Sequence, residues 1–128
     1  MIKEFHMKEI PKISESEWLI MKTIWSENPI TANRIVEILS NSTSWNPKTI
    51  KTLINRLVKK GAVGFESIGR VYNYYPLIEE AVFVKAESRS FLKRVFGGAV
   101  KPMLATLVES EELSQEDIED LKRILEKK

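Results

Sequence analysis

Apolar residues recur three and four positions apart in three early segments, a spacing that predicts three amphipathic helices. The first begins at ISESEW and ends before Asn28-Pro29, because a residue that precedes proline disfavours helical dihedrals. The second begins after Thr31 and ends at the polar run NSTS. The third lies between Asn46, a good N-cap residue, and Gly61, which suits the left-handed position past a helix end.

A β-hairpin is predicted next, from two short β-prone runs with the sequences AVGFES and VYNYY. Ile68-Gly69-Arg70 joins the runs, glycine permits a tight turn there, and Pro76 ends the second run. The tyrosines of this hairpin are expected to pack in the core and within the hairpin, and Trp18 and Trp25 of the first helix are expected in the core. Three helices followed by a hairpin are typical of a winged helix-turn-helix.

Three further helices are predicted in the last 50 residues, the first over residues 79–96 and the last beginning at Ser114. A chain this short buries too little surface to close a core by itself, so packing against the same helices of a second copy is expected. The apolar positions predicted to form this dimer contact are Phe91, Val95, Leu104, Leu107, Ile118, Leu121, Ile124 and Leu125.

The predicted fold class is therefore mainly α with a small β-hairpin. We expect a leader over residues 1–12, a winged-helix DNA-binding domain over 13–77 and a helical dimerisation domain over 78–128. Whether residues 1–6 are native is left open by the sequence.

Composition and charge narrow the functional classes. The chain has 128 residues, 43% hydrophobic content and no cysteine, which excludes disulfides and thiolate metal sites and fits a reducing cytoplasm. No apolar run is long enough to span a membrane. The net charge is +2, yet residues 109–128 hold eight acids and four bases, so this segment carries −4 and the rest +6. A basic first half indicates a nucleic-acid partner.

The basic residues concentrate on the third helix. Between Glu37 and Glu66 the sequence has five bases and no acid. A recognition helix needs cations for phosphates and side chains that reach base edges, and arginine and threonine can do the latter in the major groove. The helix N-terminus can bind a further phosphate. The predicted contacts with double-stranded DNA are Asn46, Lys48, Thr49, Lys51, Thr52, Asn55, Arg56 and Lys59, with Arg70 at the wing tip.

Catalysis and cofactor binding find no support in the sequence. His6, the only histidine, lies in the leader, and no phosphate-binding glycine motif or metal-ligand spacing occurs. We therefore expect no enzymatic activity, no cofactor and no metal.

Several segments together resemble the penicillinase-repressor family of BlaI- and MecI-type proteins. They are ISESEWLIMKTIW, TSWNPKTIKTLINRLVKKGAV, GRVYNYYP and LSQEDIEDLKRILEK, and the similarity spans residues 11–127. The resemblance implies a homodimeric bacterial repressor that binds a dyad operator at promoters of β-lactam-resistance genes. It also implies induction by an inducer-activated protease that cuts the dimerisation domain. The family's Asn-Phe scissile pair aligns here with Thr106-Leu107, a departure from the family's residues.

Two other functions stay open at this stage. A winged helix can serve as a protein-interaction module with no nucleic-acid role, and a gel shift on promoter DNA distinguishes it from a repressor. A regulator that senses a small molecule would need a polar pocket between the two domains. The basic face of the third helix could also be an ordinary solvated surface, although such surfaces usually mix both signs of charge.

Overall fold

The computed structural model describes residues 10–128, which form six helices and three short strands. The expectations for residues 1–9, including His6, lie outside this range. The elements in chain order are α1 (Glu15–Ser26), β1 (Ile30–Thr31), α2 (Ala32–Leu39), α3 (Pro47–Lys59), β2 (Val63–Ile68), β3 (Val71–Pro76), α4 (Glu80–Phe96), α5 (Val100–Glu109) and α6 (Gln115–Glu126).

The first three helices begin where the sequence predicts, because each is capped by a side chain. Ser14 and Glu17 form a capping box on α1, in which each side chain accepts a hydrogen bond from the other residue's backbone N–H. The Thr31 hydroxyl caps α2 and the Asn46 side chain caps α3. Past the end of α3, Gly61 has a φ of 81°, a left-handed conformation that favours glycine.

The hairpin is part of a three-stranded antiparallel sheet in the order β1-β3-β2. The strand β1, which the sequence did not predict, pairs Ile30 with Tyr74 of β3. The turn between β2 and β3 contains Gly69 with a φ of 65°, as the predicted tight turn requires. Of the hairpin tyrosines, Tyr74 lies in the core and Tyr72 packs within the hairpin, its ring 4.7 Å from that of Phe65, while Tyr72 and Tyr75 are exposed and are not core residues.

The core of the N-terminal unit lies between α1, α2, α3 and the sheet, and α4 adds Phe83 to it. Trp18 and Trp25 are partly buried against this core rather than inside it, and their rings lie 5.9 and 5.8 Å from the Phe83 ring. The Trp25 indole N–H donates a hydrogen bond to the Ile78 carbonyl at 3.0 Å. The start of α4 is thereby attached to α1.

The chain separates into two compact units between Ala86 and Glu87, inside α4, and not at the expected position between residues 77 and 78. The reason is the packing of Ile78 and Phe83 against the N-terminal core. Ile10, inside the predicted leader, also packs against this core. The prediction of a mainly helical chain with a winged helix is confirmed, with a three-stranded sheet in place of a simple hairpin.

The second unit, residues 87–128, contains the last part of α4 and the helices α5 and α6. Pro102 lies in the first turn of α5, where its missing N–H leaves no hydrogen bond unmade. Ser114 and Asp117 form a capping box at the start of α6, as predicted. Neither α5 nor α6 has a buried residue.

Candidate nucleic-acid interface

The helix α3 buries one side and exposes the other. Ile50, Leu53, Ile54 and Leu57 form the buried stripe. Every residue predicted to contact DNA is exposed, including Arg70 in the turn between β2 and β3. The structure therefore presents on one helix the eight predicted residues that belong to α3 and its cap: Asn46, Lys48, Thr49, Lys51, Thr52, Asn55, Arg56 and Lys59.

Two of these side chains also have structural hydrogen bonds. The Asn46 Oδ1 accepts a hydrogen bond from the Thr49 backbone N–H at 2.8 Å, which leaves the amide group of Asn46 as its free donor. The Thr52 hydroxyl donates to the Lys48 carbonyl at 2.9 Å, so towards solvent it offers lone pairs and a methyl group. Arg56 and Asn55 have no such bond with any residue from 10 to 128, and their polar groups can donate to base edges.

The exposed cations of α3 are not neutralised by the described part of the chain. Within residues 10–128, Lys48, Lys51, Arg56 and Lys59 form no ion pair with a carboxylate, and neither does Arg70. Like charges on one face repel each other, and an anionic partner removes that repulsion. The face is thus suited to bind a row of phosphates.

Lys60, the fifth base of this segment, is the exception, because it forms an ion pair with a carboxylate of another helix. Its Nζ lies 2.7 Å from Glu17 Oε1 and donates another hydrogen bond to the Lys12 carbonyl at 2.9 Å. Lys60 is the C-cap residue of α3, whereas Glu17 lies in the first turn of α1. The ion pair joins residues 43 positions apart in the sequence, so the periodicity of either helix alone could not predict it.

The position of Lys60 along the helix does indicate that its side chain lies near the buried side of α3. It follows Leu57 by three residues and Leu53 by seven, a spacing that places side chains on the same side of a helix. Lys59 is rotated from it by about 100°, the angle per residue of an α-helix, and forms no ion pair within residues 10–128. The two adjacent lysines therefore have different environments.

Glu17 is a buried carboxylate, only 1% exposed. Burial alone raises the pKa of Glu17, but the hydrogen bonds from Lys60 and the Ser14 amide, with the charge of Lys60, outweigh it and hold the pKa below its usual value. Its Oε2 is also buried and accepts no hydrogen bond from residues 10–128. Lys60 is thus the main compensation for this buried charge.

The preceding helix α2 carries Arg34, which differs from the α3 cations. Its guanidinium lies 3.1 Å from Glu27 Oε2 and 2.8 Å from Glu37 Oε1. The hydrogen bonds to Glu27, then those to Glu37, raise the pKa of Arg34. Because both acids lie beside it, α2 contributes far less uncompensated positive charge than α3.

The residues predicted for dimerisation lie on α4, α5 and α6. Leu107 and Ile118 are partly buried, and the other six are exposed: Phe91, Val95, Leu104, Leu121, Ile124 and Leu125. Phe91 packs against Phe96 with ring centroids 6.1 Å apart. The predicted scissile pair lies inside α5, where Thr106 is exposed and its hydroxyl donates to the Pro102 carbonyl.

Residues 10–128 contain no group of three or more acidic, histidine or cysteine side chains that could hold a metal ion. In the same range, no helix combines the length and the apolar character needed to cross a membrane.

Comparison with known proteins shows the family to which the chain is similar. Residues 13–127 match the family described as Penicillinase repressor. The chain is 42% identical over 120 residues to the "Penicillinase repressor" of Bacillus licheniformis, which covers 94% of each chain. It is 39% identical over 117 residues to the "Methicillin resistance regulatory protein MecI" of Mammaliicoccus sciuri, covering 91% of this chain and 95% of that protein.

The N-terminal fold is similar to solved structures of a DNA-binding domain. The solution structure of the DNA-binding domain of the repressor BlaI is 44% identical, with a TM-score of 0.53, over 57% of this chain and 89% of that one. The Bacillus licheniformis BlaI monomer in complex with the blaP half-operator has a TM-score of 0.52, with the same identity and coverage. The two relatives are named as a repressor and as a regulatory protein. The family match and the extent of these identities confirm the predicted resemblance, and the chain belongs to the penicillinase-repressor family.

Proposed function

We propose that this protein is a sequence-specific DNA-binding repressor of β-lactam-resistance genes and that it reads its operator through α3. The observation that carries the proposal is the exposed side of α3, whose four cations have no carboxylate partner among residues 10–128. A solved relative with the same N-terminal fold is bound to a half-operator, which supports the same use of this fold here. In this proposal the protein acts in the bacterial cytoplasm, where the chromosome lies.

Each side chain of the interface has a role that follows from its chemistry. Arg56 can donate two hydrogen bonds to a guanine, a contact worth about 1–3 kcal/mol of discrimination between bases. Lys48, Lys51 and Lys59 are flexible point charges suited to phosphates, and they add affinity that falls with salt. The N-terminus of α3, beside Lys48, adds backbone N–H groups for a phosphate. Arg70, in the exposed turn of the wing, would contact the backbone or the minor groove next to it.

The proposal includes a homodimer formed by the second unit. Its support is the series of exposed apolar side chains on α6, where Leu121, Ile124 and Leu125 are spaced to form one stripe. A monomer gains nothing by exposing such a stripe, whereas a second copy can cover it. Two copies of α3 would then contact half-sites separated by one turn of DNA, about 10 base pairs, or a small multiple of it.

Proteolysis in the second unit is the proposed route of induction. A cut between Thr106 and Leu107 would remove α6 and its apolar stripe, and the monomer left behind would lose the second half-site. The bond lies within α5, whose backbone would have to unwind locally before an inducer-activated protease could bind it in an extended form. Because Thr106 and most of α5 are exposed, such local unwinding breaks few buried contacts and requires little free energy.

The experiment that tests this function is selection of bound fragments from the genomic DNA of the source organism, followed by a gel shift on the selected sequence. We expect a dyad-symmetric sequence near promoters. The double variant Lys48→Glu/Lys51→Glu should abolish binding, whereas the matched variant Lys85→Glu/Lys101→Glu, with the same charge change on α4 and α5, should retain it. Fragments without a shared sequence, or equal losses in both variants, would contradict the proposal.

A further inference from the structure

We infer that Glu17 and Lys60 form a positioning device for the recognition helix, and that Lys60 makes no phosphate contact although it is one of the five bases of the α3 segment. The inference rests on the proposed function, because it concerns how α3 is held for reading DNA. Glu17 and Lys60 would then act on DNA recognition only through the geometry of α3.

The first support is the way in which one carboxylate serves two helices. The Glu17 Oε1 accepts hydrogen bonds from the Ser14 backbone N–H and from Lys60 Nζ, both at 2.7 Å. The same oxygen therefore completes the start of α1 and holds the end of α3. Any rotation or sliding of α3 relative to α1 must lengthen the contact to Lys60.

The second support is the electrostatic environment. Glu17 is buried, and its Oε2 accepts no hydrogen bond within the described range, so loss of the ammonium group would leave a buried charge uncompensated. A phosphate that attracted Lys60 would have to compete with this requirement and with the bond to the Lys12 carbonyl. Lys60, although its side chain is 35% exposed, is thus held by Glu17 and the Lys12 carbonyl, while the adjacent Lys59 has no ion pair within residues 10–128.

The third support is proximity to the base-reading residues. The Lys60 backbone N–H donates to the Arg56 carbonyl, so the residue that Glu17 holds is bonded directly to the turn that carries Arg56. A bidentate hydrogen bond between Arg56 and a guanine tolerates little displacement, whereas a lysine–phosphate contact tolerates much more. Loosening the end of α3 should therefore reduce base discrimination more than total affinity.

The adjacent lysines provide the matched test, as Lys60→Met and Lys59→Met in the full-length chain. Affinity is measured for the selected operator and for random duplex DNA over a range of salt concentrations. Lys59→Met should weaken both DNAs alike and reduce the slope of log affinity against log salt by about 0.9, the value for one phosphate contact. Lys60→Met should leave the slope unchanged and lower the ratio of operator to random affinity roughly tenfold, the loss of most of one base contact.

Glu17→Gln provides a second variant if Lys60→Met does not fold. Glutamine retains an acceptor for the Ser14 N–H but removes the charge that holds Lys60, so the same loss of ratio is expected, without a reduction of the salt slope. Lys60→Arg, which can still donate to Glu17, should restore the ratio. All measurements are made well below the thermal midpoint of each variant, determined by circular dichroism.

Two results would overturn the inference. One is a lower salt slope for Lys60→Met equal to that of Lys59→Met, since Lys60 would then be a phosphate contact. The other is a lower thermal midpoint for Glu17→Gln with an unchanged affinity ratio, which would make the pair a stability element only. Failure of the proposed function itself would be distinct, because the unmodified protein would then show no preference for any sequence.

Discussion

The two units of this chain differ in how far their apolar side chains are buried. In the N-terminal unit, fourteen apolar residues from Ile20 to Phe83 are buried and form one core. In the second unit, the helices α5 and α6 have no buried residue, and Ile124 and Leu125 are 58% and 65% exposed. The first unit thus encloses its apolar groups within one chain, whereas in the proposed dimer those of the second unit are removed from water by a second copy.

This difference indicates that regulation can act on the second unit without disturbing the core that supports α3. A core that is closed within one chain gives α3 a fixed support whatever the protein concentration is. In the proposed dimer, DNA binding depends on association through the apolar surface of the second unit, and any event that weakens association then weakens operator binding by mass action. The proposed cut after Thr106 affects only the second kind of surface.

The largest effect should come from a charge on the apolar stripe of α6. We expect Leu125→Asp to convert the dimer to a monomer and to lower affinity for the full operator by about 10²–10⁴-fold, the gain that two linked sites normally provide. Sedimentation velocity and binding to operator and half-operator would measure it. Half-operator affinity should not change, because α3 lies in the other unit.

Gln115→Asp is the matched control for this variant, since Gln115 is an exposed polar residue of the same helix and the change of charge is the same. It should leave the dimer intact. A Leu125→Asp protein that remains dimeric would contradict the assignment of α6 to the interface and would shift attention to Phe91 and Val95 of α4.

The same truncation made in the two units should have two different signatures. Leu57→Ala removes a side chain that is 0% exposed and should lower the free energy of unfolding by about 2–5 kcal/mol at any protein concentration. Leu125→Ala should have an effect that grows with protein concentration, because its contacts form only in the dimer. Urea denaturation at two widely separated concentrations distinguishes them. A concentration-independent loss for Leu125→Ala would mean that the second unit closes its own core.

Local features of this fold could be predicted from the sequence. The caps at Ser14, Thr31, Asn46 and Ser114 need only residues three positions apart, and all four lie where predicted. The exposed face of α3 followed from the period of its apolar stripe. A cap and an apolar stripe each depend on residues of a single helix, so both could be predicted without knowledge of the tertiary structure.

Features that join distant segments were missed. The two-residue strand β1 exists because Ile30 pairs with Tyr74, and no periodicity exists in two residues. The Tyr75 ring lies against Gly64 of the neighbouring strand, where an added Cβ would lie 2.8 Å from the ring. The Glu17–Lys60 pair and the packing of Phe83 against two tryptophans likewise depend on contacts across the fold.

The next largest effect is on DNA affinity, where variants of the N-terminal unit distinguish a residue that contacts bases from one that contacts phosphates. Arg56→Ala should cost about 1–3 kcal/mol on the operator and much less on random DNA, because only the specific complex contains the base contact. Lys51→Ala should weaken both by similar factors and reduce the salt dependence. Competition binding with operator and random duplexes measures both. Identical behaviour of the two variants would show that Arg56 contacts phosphate.

The smallest effect concerns the two serine capping boxes, one in each unit. Ser14→Ala should lower the free energy of unfolding by about 1–2 kcal/mol, because the Glu17 N–H that loses its partner belongs to a buried residue. Ser114→Ala should cost only about 0.5 kcal/mol, since Ser114 and Asp117 are exposed and water can replace the lost bond.

The two serine variants also report on different equilibria. If α6 is stabilised mainly by a second copy, Ser114→Ala should raise the dimer dissociation constant while the urea midpoint of the N-terminal unit stays fixed. Ser14→Ala should do the reverse. Equal shifts of the urea midpoint in both variants would mean that the two units unfold as one cooperative block, and the contrast between a closed and an open core would then have no energetic consequence.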